Sequence, residues 1–177
     1  MKTYEKADRA TRSLVDEVMA LHHPKLADAS VTVDVLMVSD IDEESGEVHQ
    51  ALKAHGYPAA ATIAIVPLNR RALGQADALM TIDVASWQSL SGAEQQALID
   101  HELTHLTLVL GEDGAPKRDD LKRPKLKMRL HDWQLGGFVD VAMRHGESAL
   151  EVKAARSCNN KGQYYWDWGN GAKLKAV

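Results

Sequence analysis

The chain is poor in cysteine and in aromatic residues, and it has no excess of positive charge. Cys158 is the only cysteine in 177 residues, so no intramolecular disulfide can form. Stability must come from a packed core, and this length suffices for one domain of that kind. A lone thiol fits a reducing compartment. Aromatic residues are 5% of the sequence, with one phenylalanine, Phe138. Aliphatic side chains must therefore build most of the interior. The formal net charge of −4 argues against a molecule-wide polyanion-binding surface. No apolar run approaches the roughly 20 residues that a membrane span requires. The charged start MKTYEKADRATRSLVDEV lacks the apolar stretch of a secretory leader. The expectation is a cytoplasmic protein with no membrane role.

What remains is an alternation of helical and strand-like segments, hence an α+β fold. Leu14, Val15, Val18 and Met19 share one helical face, which predicts a helix over residues 3–22 that Pro24 stops. VTVDVLMV, residues 31–38, and ALMTIDV, residues 78–84, alternate as strands do. ATIAIVPL, residues 61–68, is a third strand, which Pro67 confines to an edge or ends. A short helix is expected near residues 46–54. Ser91 and Glu94 form an S-x-x-E capping box, opening a helix that should run to about Leu110 and stop at Gly111. KLKMRL, residues 125–130, is a short strand or an extended rim. Asp132 is a suitable N-cap for a helix carrying Leu135, Phe138, Val139 and Ala142, with Gly136 and Gly137 inside it and Gly146 at its end. Residues 147–157 could form a further helix. Residues 1–157 read as one domain, and residues 158–177 as an irregular, aromatic-containing tail.

Within the capped helix lies LIDHELTHL, and in it H-E-x-x-H: His101, Glu102 and His105. Four-residue spacing puts both imidazoles on one helical face, one turn apart. Two neutral imidazoles so placed can bind one zinc ion, and Glu102 can reach a water in its open position. Zinc activates such a water, and a neighbouring carboxylate can carry its proton to a leaving amine. Chance puts the motif in about one chain in fifty of this composition, so context has to raise the signal. The context is favourable, because both histidines would be partly buried and would need partners.

A catalytic zinc takes three protein ligands. Downstream candidates are Glu112, Asp113, Asp119, Asp120, His131, Asp132, His145, Glu147 and Glu151. His131 stands out, because it ends KLKMRL and directly precedes a helix. Asp132 is the alternative, though it also serves as N-cap or as a carboxylate that orients an imidazole. His145 reads as a cation at a helix C-terminus. His22, His23, His49 and His55 have no ligand spacing with the motif.

SWQSLSGAEQQALIDHELTHL followed by RLHDWQLGGFVDVAMRHG resembles the Putative phage metallopeptidase family, over roughly residues 55–146. The spacing is also similar to that of SprT-like proteases. The resemblance implies a zincin-like fold: a small, mostly antiparallel sheet of three to four strands packed on the motif helix. It implies one zinc ion per chain held by His101, His105 and His131, with Glu102 as base, acting on a peptide or protein in the host cytoplasm. It further implies an edge strand near residues 78–84 that could take up an extended peptide.

Two other stretches invite a role. KRDDLKRPKLKMR, residues 117–129, could border a nucleic acid or an acidic substrate, or be a solvated face. YYWDW, residues 164–168, could stack bases or dock on the domain's own core. The rival readings are thus a zinc-dependent hydrolase or nuclease acting near nucleic acid, and a catalytically inactive zinc-binding interaction protein.

Overall fold

A computed structural model describes residues 1–54, 56–131 and 137–160. The first element is a strand, β1 (Lys2–Lys6), where the helix was expected to begin. Asp8 sets the true helix start: its side chain accepts from the Thr11 amide at 2.7 Å. Helix α1 (Arg9–His22) then buries Val15, Val18 and Met19. Pro24 does not simply end the pattern. It opens a short helix, α2 (Pro24–Asp28), where its missing N–H costs nothing.

Strand β2 (Val33–Ile41) follows, and then the two-residue strands β3 (Val48–His49), β4 (Lys53–Ala54) and β5 (Tyr57–Pro58). The helix expected near residues 46–54 is absent; β3 extends the sheet along β2, and β4 pairs with β5. Strand β6 (Ala61–Ile65) leads through Pro67 into α3 (Leu68–Ala72), and then comes β7 (Ala78–Asp83).

The main sheet has five strands, in the order β1-β2-β7-β6 with β3 also on β2. Pairing is antiparallel except between β2 and β7, which run parallel from Val33↔Ala78 to Val38↔Asp83. β7 is therefore interior. Residues 78–84 are not the edge; among the described residues the sheet margins are β1 and β6. The burial pattern agrees, since Ala78, Met80, Ile82 and Asp83 in β7 are all fully buried.

A single-turn helix, α4 (Val84–Ser89), is capped by the Asp83 side chain and leads to α5 (Gly92–Thr104). The capping box forms: Ser91 Oγ accepts from the Glu94 amide, and Glu94 Oε2 accepts from the Ser91 amide at 2.7 Å. α5 lays Leu98, Ile99 and Leu103 on the sheet, together with Met80, Ile82 and Val15. Each such side chain contributes about 1.5–3 kcal/mol when fully buried.

α5 does not reach Leu110. It ends at Thr104, and Leu106–Leu108 is a strand, β8, antiparallel to β9 (Leu126–Met128). The Thr104 hydroxyl donates to the Asp100 carbonyl at 2.7 Å within the last turn. The bridges Leu110↔Pro116 and Arg118↔Pro124 extend this hairpin outwards, and Gly111 lies in its turns instead of capping a helix. Helix α6 (Val139–His145) begins later than the sequence suggested and buries Val141, while Val139 is exposed. Gly137 precedes it, outside any helix, and Gly146 terminates it. Helix α7 (Leu150–Asn160) crosses back over α5. Asp132, Leu135, Gly136, His55 and YYWDW lie outside the described residues. Among those described, no helix is long and apolar enough to cross a membrane.

Candidate metal centre

The helix break at Thr104 shapes the site. His101 is in the last turn of α5, and His105 is the cap residue that turns the chain into β8. His131 follows β9 and returns to them from the far side of the hairpin. One ring nitrogen from each of the three lies within 4.8 Å of the others. His131 Nε2 is 3.1 Å from His101 Nε2. Tetrahedral zinc with about 2.05 Å bonds sets its nitrogen ligands about 3.3 Å apart, so the donor set fits that ion. Three imidazole donors suit zinc, as they suit copper, iron and nickel.

The far nitrogens of the first two rings are held from behind. His105 Nδ1 lies 2.8 Å from the Arg129 carbonyl oxygen, which can only accept, so Nδ1 carries the proton and Nε2 is bare. His101 Nδ1 lies 2.9 Å from Oε1 of Glu151, on α7. The Glu151 side chain is 2% exposed, and its other oxygen has no hydrogen-bond partner among the described residues. Glu151 stands among the sequence candidates for a ligand; the structure places it behind a histidine instead, the arrangement that fixes a ring's tautomer and direction. Burial depresses the His105 pKa to about 4, favouring the neutral ring that a metal needs. For His101 burial acts the same way, but the Glu151 and Glu102 carboxylates outweigh it and raise its pKa.

Phe138 completes the enclosure. Its ring centroid lies 5.0, 4.8 and 5.1 Å from those of His101, His105 and His131, and it is fully buried. The Arg129 guanidinium covers the ring at 5.0 Å. The chain's one phenylalanine thus packs against all three imidazoles without competing as a donor.

Glu102 points from the neighbouring helical face towards β6. Burial pushes its carboxyl up to about 7; His101 and the Ile63 backbone amide oppose this. Glu102 and His101 line a cleft of about 200 Å³, whose other walls include Ala60 and Ala61 beside β6, Leu98 on α5 and Leu150, Glu151 and Ala154 on α7. A larger cleft of about 510 Å³ between α2 and β8 touches neither Glu102 nor the three imidazoles. The smaller one borders the reactive groups.

This geometry has a counterpart among known sequences. The chain matches the Putative phage metallopeptidase family over residues 2–158. It belongs to that family. No curated protein and no solved structure matches it. The match reaches well beyond residues 55–146, and it takes in β1, β2 and most of α7.

A second cluster sits one residue away on α5 and has another character. Asp100, fully buried, accepts from His23 Nε2 at 2.8 Å, His145 Nε2 at 2.7 Å, and Arg144 at 2.8 and 2.7 Å. Burial alone would raise its pKa, but these donors hold it far below the usual carboxylate range. His22 stacks edge-on against His145. His22, Asp100 and His145 are close enough to share an ion. The Arg144 guanidinium already grips both oxygens, so the cluster works as a clamp joining α1, α5 and α6. His145 is therefore more than a helix-end cation, and His23 has a partner that its position in the sequence did not suggest. No local sequence signal marks Glu151 or Asp100; only the fold brings their partners to them.

Proposed function

We propose that this chain is a zinc-dependent peptidase in which His101, His105 and His131 hold the metal and Glu102 carries the protons. The observation that supports this most is the convergence of three imidazoles, one of which, His101, lines a cleft together with the buried Glu102 carboxylate. A zinc ion held there would supply Lewis acidity to a water and to the peptide carbonyl.

The remaining work falls to the chain's own residues. Arg129, through its carbonyl, and Glu151 aim the two helix histidines. Phe138 closes the space behind them. Glu102 takes a proton from the attacking water and passes it to the departing amine. The backbone of β6, Ala61–Ile65, pairs with β7 on one side only among the described residues. Its other side offers N–H and C=O groups to an extended substrate, which would lie beside Glu102. A purely structural zinc site is closed by four protein ligands and has no use for a carboxylate lining a cleft.

The test pairs metal analysis with Glu102→Ala. About one zinc per chain is expected in both proteins, with peptide hydrolysis reduced at least ~100-fold in the variant. Protein purified without chelator and devoid of zinc would overturn the metal assignment. Full hydrolysis by the variant would overturn the role of Glu102.

A further inference from the structure

The hairpin that leads to His131 also gathers three exposed lysines, Lys117, Lys125 and Lys127, beside Arg129. Its ladder runs Leu108↔Leu126, Thr107↔Lys127, Leu106↔Met128, and one step further, since the Arg129 amide donates to the His105 carbonyl at 2.7 Å. Directly opposed residues share a face. Leu106 and Leu126 mark the buried face. The other face therefore holds His105 with Arg129, Thr107 with Lys127, and then Val109 beside Lys125, whose carbonyl accepts from the Val109 amide at 2.9 Å. Lys117 joins that end by backbone bonds to both Val109 and Lys125.

Starting at a metal-ligating histidine, then, cations recur at every second residue, about 7 Å apart. Arg129 is partly neutralised by Asp140 at 3.7 Å. Lys117, Lys125 and Lys127 are exposed, and none has an ion pair among the described residues. The other basic residues of this stretch are not all so placed. Arg123 is tied to Asp77 at 2.9 Å and serves the fold.

We propose that this face is a track for an acidic segment of the substrate, an extended peptide with Asp or Glu at alternate positions. This rests on the peptidase reading above and names the class of protein that is cut. An extended peptide has the same two-residue repeat as the track, so alternate carboxylates meet successive cations. The track is short and lies on a chain of net charge −4. A long polyanion would meet repulsion from the rest of the molecule, whereas a short acidic run needs only this face.

Two dye-labelled peptides test it, sharing one cleavable centre flanked by alternating Glu or alternating Lys. Anisotropy with the zinc-loaded Glu102→Ala protein reads binding without hydrolysis. The glutamate peptide should bind about tenfold more tightly, as two or three exposed pairs allow. High salt should remove the advantage. With native enzyme it should appear in KM and not in kcat. The double variant K125E/K127E should reverse the order of the two peptides. Equal affinities, or an unchanged order in the double variant, would overturn the proposal. So would a single-stranded oligonucleotide that outcompetes the glutamate peptide and loses its binding in the same variant; the track would then serve nucleic acid. If native protein cleaves neither peptide while the lysine-dependent binding persists, the peptidase reading fails and the track stands.

Discussion

Glu151 is the residue on which metal affinity should depend most, apart from the three proposed histidine ligands. Its Oε1 holds His101 Nδ1 at 2.9 Å in a place that is almost wholly buried. A hydrogen bond to a charged group contributes about 1.5–3 kcal/mol. At 1.4 kcal/mol per decade this is about 10- to 100-fold in zinc affinity, the range found when such outer partners are removed. Glu151→Ala should show the whole effect, because His101 is then free to turn its Nε2 away. Glu151→Gln keeps an acceptor at the same point and loses only the charge, so it should fall between alanine and native, about tenfold weaker than native. Competition against a chromophoric chelator measures this directly. Urea unfolding of the metal-free proteins separates loss of affinity from loss of fold, since α7 also packs on the core through Leu150. The reasoning is refuted if both variants bind zinc within twofold of native.

Further outcomes follow from the packing and the charges. Phe138→Ala should cost about 3–5 kcal/mol in urea unfolding, because the ring is fully buried against three side chains. Ser91→Ala, which removes half of the capping box, should cost about 1 kcal/mol and lower the melting temperature by about 2–4 °C. Asp100→Asn leaves Arg144 and two histidines around a neutral group and should destabilise by about 3–5 kcal/mol. Asp77 and Asp83 are buried, which favours protonation, but the Thr32, Arg123, Ser86, Ala51 and Leu52 donors prevail and hold both pKa values below the ordinary 3.8. Their stabilisation is therefore complete above about pH 4 and is lost as pH falls through the folded values. The urea midpoint should drop below pH 4, and less steeply in Asp83→Asn; an identical acid profile for that variant would contradict the assignment.

The sequence shows most where chemistry is local. The capping box, the apolar face of α1 and the alternation in β7 all depend on near neighbours, and all three form. H-E-x-x-H marks its own helix, whereas the approach of His131 to within 3.1 Å of His101 depends on the hairpin and is not local. β1 was hidden because KTYEK is a polar strand at a sheet margin, where no apolar alternation is needed. The end of α5 was legible in retrospect. Thr107 and Val109 alternate with Leu106, Leu108 and Leu110, a period of two that the helical reading of residues 91–110 ignored. The swap of edge strand from β7 to β6 follows from the parallel pairing of β2 with β7, a long-range choice that neither segment encodes alone. Glu151 and Asp100 lie further still from local signals, since each acquires its meaning from residues 44 to 77 positions away.

The open side of β6 has a consequence for self-association. Ala61, Thr62, Ile63, Ala64 and Ile65 form a short, uncharged, partly β-branched strand, the composition that lets one copy of a protein stack on another. Pro58 lies before it and Pro67 after it. Neither can donate to a ladder, so intermolecular pairing is confined to the eight residues between them, roughly 26 Å of strand at most. Two prolines thus let the chain keep a reactive margin without becoming a template for fibres. Replacing either would extend the margin, and the first symptom would be precipitation at high concentration instead of lost chemistry.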